Sequence, residues 1–354
     1  MERLICTDSA LLSWEKGRCW SALGVSLQGL NHQQGGEALQ DSHALRTLPC
    51  GWGLAVVCDG VGSEPHADIG ARLAAESFAD FTQRYWGFYQ DEQSVLNLLR
   101  CAAMHAMGRL KRQAQADGCP LQEYSTTLHA AVYANGLAYF LHAGDGGILA
   151  LLESGEYISL TSPMKDEDGE RVVPLLAGPE YWQTGASPER VQSLLLCTDG
   201  VYDKLAGVIL RDYGGVDRGV ASFFMSPWAF DCWGEPKKIA QCFQKAFRGG
   251  EPNDFYPHIV KAMAQGGDEE AAGAFVVERI YQKNRPLELL QGIGDDITVT
   301  LIQGIPAAVQ IRPMEDCASP DWEDMNRKVY IRLFGELPRD ELSNPDEKSD
   351  DDVL

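Results

Sequence analysis

The sequence predicts an α+β domain in which antiparallel strands deliver aspartates to a common edge. Three observations predict it. Residues 125–160 read as consecutive strands joined by tight turns. Two amphipathic helical stripes precede them, between residues 69 and 110. Short apolar runs end abruptly in Asp-Gly, as in Leu54-Ala55-Val56-Val57-Cys58-Asp59-Gly60 and Leu194-Leu195-Leu196-Cys197-Thr198-Asp199-Gly200. An apolar run closed by a turn signal reads as a buried strand, and it carries the residue that follows it to the strand's mouth.

Residues 1–19 carry no clear pattern. Residues 20–27 read as a first strand, followed by a polar, Gly-rich loop through Gly36. Gln40-Asp41-Ser42-His43 opens a second strand over 43–48, and the Asp59 strand follows the turn at Gly51-Trp52-Gly53. Ile69, Leu73, Phe78, Phe81 and Tyr85 then share one helical face. Val95, Leu98, Leu99, Ala102, Ala106 and Leu110 form a second stripe at three- and four-residue spacing, and both stripes predict packing on a sheet. Strands over 125–134 and 137–143 flank Asn135-Gly136, a type I′ hairpin signal. Gly144-Asp145-Gly146-Gly147 turns into a strand at 148–152, and Ser154-Gly155 into one at 157–160, which together predict an antiparallel meander.

Residues 161–190 hold four prolines and read as a long loop or flap. Residues 203–290 read as a helical insertion whose aromatics, Phe223, Phe224, Trp228, Phe230 and Trp233, form a small core in the preferred reading and a docking surface for a partner in the other. Gly292-Ile293-Gly294-Asp295-Asp296 leads into a strand at 297–302. The expected organisation is a domain over 1–310, an extension packed on it over 311–338, and an acidic, solvated tail over 339–354.

The 354 residues suffice for one large domain or two modest ones, and 45% hydrophobic residues support a sizeable core. A net charge of −21 argues against nucleic acid and anionic lipid as partners, since both require a basic face. The same surface disfavours a metal-dependent nuclease. The ten cysteines form no CxxC pair, and several lie in apolar runs, which fits a reducing compartment. Residues 1–10 lack a signal-peptide core, and no apolar stretch is long enough to span a bilayer, so a cytoplasmic location is expected.

Asp41, Asp59, Asp145, Asp199 and Asp295 all sit at strand-to-turn junctions, with no Lys or Arg within three residues of any of them. Carboxylates that converge without cationic neighbours repel each other and commonly share a hard cation. An all-oxygen set without Cys or His prefers Mg²⁺ or Mn²⁺ over zinc.

Gln40-Asp41-Ser42, Val57-Cys58-Asp59-Gly60-Val61-Gly62, Ser125-Thr126-Thr127-Leu128, Ala143-Gly144-Asp145-Gly146-Gly147, Cys197-Thr198-Asp199-Gly200-Val201 and Gly294-Asp295-Asp296-Ile297-Thr298 follow one another in an order that resembles the type 2C metal-dependent Ser/Thr protein phosphatases, nearest to their bacterial branch. The resemblance covers roughly residues 20–205 and 290–303. It implies two antiparallel sheets packed face to face with helices on both outer faces, an αββα sandwich. It implies that Asp59 bridges two Mg²⁺ or Mn²⁺ ions and that the Gly60 carbonyl binds one of them. Asp199 and Asp295 would ligate the other, Asp41 would hold metal-bound water, and Asp145 matches a looser third site. Thr126 and Thr127 match a structural motif. The implied reaction is direct attack of metal-bridged water on phosphoserine or phosphothreonine, with a phosphoprotein as substrate and a Ser/Thr kinase in the same pathway.

The chain departs from the family pattern at the phosphate clamp. The position five residues before Asp41, where the family often has Arg, is Gly36, and no Arg or Lys occurs over 24–45. The acidic residue often found just before that Asp is here Gln40, and Val61 stands where some members have His. His32 is therefore a candidate phosphate ligand. His66 could donate a proton to the leaving group but is read first as a helix-start or surface residue, and His129 and His142 as residues of the strands. The alternative reading is a phosphatase-fold signalling module, weak or inactive, that binds a phosphoprotein or kinase. A nucleophilic-aspartate phosphatase is disfavoured, since Asp59 is followed two positions on by Val61 rather than Asp.

Overall fold

A computed structural model describes residues 4–7, 10–87, 91–166, 171–205 and 294–304. The chain runs β1 (Leu4–Thr7), β2 (Ala10–Lys16), β3 (Trp20–Leu27), α1 (Leu30–Gly35), β4 (Asp41–Thr47), β5 (Gly53–Asp59), α2 (Ala67–Tyr85), α3 (Glu92–Asp117), β6 (Leu128–Ala134), β7 (Leu137–Ala143), β8 (Gly147–Leu152), β9 (Tyr157–Ser159), β10 (Gln183–Ala186), β11 (Val191–Cys197), α4 (Asp199–Leu205) and β12 (Ile297–Gly304).

The strands form two antiparallel sheets. One has seven strands in the order β1-β2-β3-β12-β11-β8-β9, the other five in the order β10-β7-β6-β5-β4. The sheets face each other through contacts of β3 with β4, β12 with β5 and β11 with β6. Helices α2 and α3 pack on one another and on the five-stranded sheet, α2 against β4 and β5 and α3 against β7. The architecture is thus an α+β sandwich. Among the described residues α4 is the helix that touches β11 and β12 of the seven-stranded sheet. The expected insertion, extension and tail lie outside the described residues, apart from 203–205, which belong to α4.

Residues 54–58 of β5 are all buried, because β4 and β6 flank the strand and it lies between helices and the other sheet. Burial on both faces makes a strand read as a continuous apolar run rather than an alternating one. Helix α3 begins where the Asp91 carboxylate accepts the Ser94 N–H at 2.7 Å, and it ends at Gly118 in the left-handed region. Its predicted stripe is buried throughout.

Four expectations need correction. The meander is split: β6 and β7 pair in the five-stranded sheet, whereas β8 and β9 belong to the other, so the 144–146 turn carries the chain between sheets. Strand periodicity cannot tell an in-sheet hairpin from such a crossing. Of the stripe assigned to α2, Phe78 alone is fully buried; the buried face consists mainly of Ala67, Gly70, Ala71, Ala74, Ala75 and Ala79. Small residues let the helix lie close to β4 and β5, while Ile69, Leu73, Phe81 and Tyr85 fill its flanks. Residues 4–16 form the hairpin β1–β2, which makes Trp20–Leu27 the third strand. The flap supplies β10, which pairs with β7 at the sheet edge. The hairpin signal holds: Asn135 and Gly136 have φ of 46° and 83°, as a type I′ turn requires.

Candidate metal-binding active site

Antiparallel pairing explains why distant aspartates meet. Asp41 opens β4 and Asp59 closes β5, and the two are register partners. In the other sheet Cys197 pairs with Gly147 on one side and with Val299 on the other. Asp145 before β8, Asp199 after β11 and Asp295 before β12 therefore lie at one end of that sheet, facing the Asp41–Asp59 pair. Asp59, Asp145, Asp199 and Asp295 line one pocket together with Gln40, Gly60, Val61, Gly62, Thr127 and Val172. Asp41 is buried beneath it.

The backbone at Asp59 is held on three sides. Its N–H donates to Thr127 Oγ1 at 2.9 Å, and its carbonyl accepts from Thr126 Oγ1 at 2.8 Å and from the Thr127 N–H at 2.7 Å. Thr126 and Thr127 thus act by fixing Asp59 as well as by packing. A side chain at Gly60 would have its Cβ 2.4 Å from the Ala67 carbonyl, so glycine is needed where this loop meets the start of α2. Thr198 Oγ1 donates to Asp41 Oδ2 at 2.9 Å and accepts from the Thr298 N–H at 3.0 Å, which ties Asp41 to the ends of β11 and β12.

The cluster carries more negative charge than its surroundings compensate. Burial, then the carboxylates of Asp41, Asp199, Asp295 and Asp145, push Asp59 well above the usual carboxylate range. Burial, with Asp145, Asp295 and Asp203, raises Asp199 to about 7, opposed by a hydrogen bond with the Asp59 carboxyl. Burial, then Asp296 and Asp295, raises Asp41 well above the range against the Thr198 and Thr298 hydroxyls. Asp145 and Asp295 are also raised, burial being the largest cause for each. Asp41 Oδ1 and Asp199 Oδ1 are buried without a hydrogen-bond partner in the protein. Orphaned carboxylate oxygens, close together and without thiol or imidazole donors, fit a hard divalent cation.

The other expected residues are placed as follows. His32 is not part of the pocket wall; its ring lies 2.9 Å from Asp296 Oδ1 and 3.4 Å from Glu37 Oε2. His66 stands at the position before the first residue of α2 and makes no side-chain hydrogen bond to the helix end. His129 and His142 are buried side by side with Nδ1 atoms 2.7 Å apart, and His142 Nε2 lies 3.1 Å from the Ser162 carbonyl.

Several residues escaped sequence reasoning. Lys165 from the flap approaches Asp145 Oδ2 at 3.4 Å, a neutralising cation that a three-residue window does not reach. Asp203, one helical turn beyond Asp199, adds to the charge felt by Asp145, Asp199 and Asp295; an i to i+4 repeat of Asp was the available signal. Asp296 accepts the Gly29 N–H at 2.5 Å and the Gln40 N–H at 2.6 Å, so it anchors the loop before β4. The doubled Asp295-Asp296 marked that position without separating the two roles.

A sequence profile described as protein phosphatase 2C matches residues 28–225, more than half of the chain. The chain belongs to that family. Among solved structures it is similar to the catalytic domain of the serine/threonine protein phosphatase PstP in complex with two manganese ions, at 14% identity and a TM-score of 0.47 over 81% of this chain and 99% of that one. It is also similar to the serine/threonine phosphatase of S. agalactiae, at 14% identity and a TM-score of 0.48 over 81% and 100% of the two chains. A third similar structure is PppA of Pseudomonas aeruginosa, described as a key regulatory component of T6SS, at 16% identity and a TM-score of 0.44 over 82% and 99%. No curated protein matches by sequence.

Proposed function

We propose that this chain is a metal-dependent phosphoserine/phosphothreonine protein phosphatase. The observation that carries the reading is the meeting of Asp59, Asp199 and Asp295 in one pocket, with Asp199 Oδ1 buried and unpaired, in a chain of the protein phosphatase 2C family. In this reading Asp59, the Gly60 carbonyl, Asp199 and Asp295 would hold two Mg²⁺ or Mn²⁺ ions, and Asp41 would hold metal-bound water. Asp145, facing Lys165, is the candidate for a looser third ion. When bound, the ions would supply Lewis-acid stabilisation of the phosphoryl oxygens and would acidify a water, chemistry suited to direct hydrolysis without a covalent enzyme intermediate.

The chain's own groups do the positioning. Thr126 and Thr127 fix the Asp59 backbone, Thr198 fixes Asp41, and Asp296 holds Gln40 at the pocket wall. Residues 24–45 hold no Lys or Arg, and His32 turns to Asp296, so we assign phosphate recognition to the ions with help from Lys165. The substrate is a phosphoprotein, and the reaction that supplies it is phosphorylation by a Ser/Thr kinase. Cys19, Cys50, Cys58, Cys119 and Cys197 are free thiols, which suits a reducing, cytoplasmic setting. Among the described residues no helix is long and apolar enough to cross a membrane.

The test is phosphate release from a phosphoserine peptide. Mn²⁺ should support turnover, and a chelator or Asp59→Asn should abolish it while circular dichroism stays native. Turnover in Asp59→Asn equal to that of the unaltered protein would refute the assignment. Mn²⁺ binding with no phosphate release would favour the non-catalytic module, the reading that the missing Arg clamp supports.

A further inference from the structure

A second cluster of metal-binding side chains stands outside the acidic pocket. His66, Cys119 and Glu123 each offer one ligand atom, and the three atoms lie within 4.8 Å of one another. His66 Nε2 is 3.6 Å from Cys119 Sγ and 3.5 Å from Glu123 Oε2. Ligands held about 2.0–2.3 Å from a tetrahedral zinc ion are separated by about 3.3–3.8 Å. The His66–Cys119 and His66–Glu123 separations match edges of such a tetrahedron.

The local fold explains the meeting. Cys119 follows the left-handed Gly118 that ends α3, and Glu123 lies four residues on, in the 3₁₀ turn Leu121–Tyr124. His66 immediately precedes α2, and its backbone N–H donates to the Glu123 carbonyl at 3.0 Å. The imidazole stacks on Tyr124, with ring centroids 4.9 Å apart at 26°, which fixes the ring's orientation. The Tyr124 hydroxyl in turn donates to Asp117 at 2.6 Å. All three ligand side chains are half-buried, so a fourth position can be completed by water.

We propose that His66, Cys119 and Glu123 form a binding site for Zn²⁺ or a similar borderline-soft transition metal, separate from the acidic pocket. Imidazole and thiolate donors select such ions over Mg²⁺. One thiolate and one carboxylate balance the two positive charges of the ion, and His66 binds as neutral imidazole. Binding transfers the Cys119 S–H proton to solvent as the Zn–S bond forms. The site clasps the far end of the loop that starts at Asp59: Val61 and Gly62 of that loop line the pocket, and the Val61 N–H donates to the Ser125 carbonyl at 3.0 Å. An ion here therefore joins the start of α2 to the segment that leads into Thr126 and Thr127.

Cobalt titration of the full chain, stripped by chelator and kept in excess Mg²⁺, tests this. A thiolate-to-cobalt charge-transfer band should rise to one equivalent and be bleached by Zn²⁺, since all-carboxylate sites cannot produce it. Cys119→Ser should lose the band with unchanged far-UV dichroism, and His66→Ala should weaken cobalt binding at least about tenfold. Asp59→Asn and Asp295→Asn should keep the band, so the result is independent of the phosphatase reading. Absence of the band in the folded chain at saturating cobalt, or its survival in Cys119→Ser, would overturn the proposal.

Discussion

The loop from Asp59 to His66 has a different cluster at each end. At the first end, carboxylates crowd together without thiol or imidazole, and burial raises every pocket aspartate above the usual range. At the second, one carboxylate, one thiol and one imidazole meet, and their charge matches a single divalent ion once the thiol gives up its proton. Burial and the carboxylates of Glu123 and Asp117 raise the Cys119 thiol, so without an ion the sulfur stays protonated. The contrast teaches that donor hardness and summed charge, rather than proximity alone, separate the cation each end is suited to.

The largest effect should come from removing a pocket carboxylate. Asp199→Asn should lower Mn²⁺-dependent turnover of a phosphopeptide by at least about a thousandfold, comparable to removal of a major electrostatic contact in other active sites. Cobalt–thiolate absorption in the same variant should be unchanged. Joint loss of both signals would break the comparison by showing one coupled site.

Next comes the pH dependence of the metal-free protein. The folded-state pKa of Asp199, about 7, lies above its unfolded value of about 3.9, so the folded state binds more protons between these values. Stability is then lost as pH rises through that window, by about 4 kcal/mol at pH 8 from this group. Mg²⁺ should restore most of that loss at pH 8 and much less at pH 5, as thermal unfolding with and without the ion will measure. An equal gain at both pH values would contradict the carboxylate-repulsion account.

Buried histidines act in the opposite direction. Burial lowers His43 to about 3 and His142 to about 4. The unfolded chain, with His near 6.5, binds more protons below that pH, so stability falls as pH drops through the window. Each should contribute a loss of about 2 kcal/mol at pH 5. His43→Asn, measured by urea unfolding, should flatten this acid limb, because Ser13 and Ser26, each 2.7 Å from the ring, can still bond a neutral amide. An unchanged limb would show that other groups govern it.

The smallest expected effect is at Lys165. Its ammonium is partly exposed, which limits the worth of the contact with Asp145. Lys165→Ala should raise KM for a phosphopeptide about two- to fivefold with kcat preserved. A change in kcat alone would mean that Lys165 tunes Asp145 rather than meeting the substrate.

Much of the pocket was legible because it is written locally. Apolar runs ending in Asp-Gly mark Asp59 and Asp199, and β5 reads as continuous apolar text because it is covered on both faces. Relations across the sandwich were not legible. Nothing near Asp145 in sequence points to Lys165, and the turn at 144–146 looks the same whether the next strand stays in its sheet or crosses. The buried face of α2 was misread because a hydrophobic stripe ranks Leu and Phe above Ala, whereas close packing on β4 and β5 favours the small residues. His66, Cys119 and Glu123 meet only through the turn after α3, so their spacing carries no metal-site signature.

The central claim is that distant carboxylates hold hard divalent ions in one pocket. Anomalous diffraction from crystals grown with Mn²⁺ tests it most directly. The account predicts Mn²⁺ peaks touching Asp59, Asp199 and Asp295. Saturating Mn²⁺ that leaves these three side chains without an ion, or places it only elsewhere on the molecule, would contradict it.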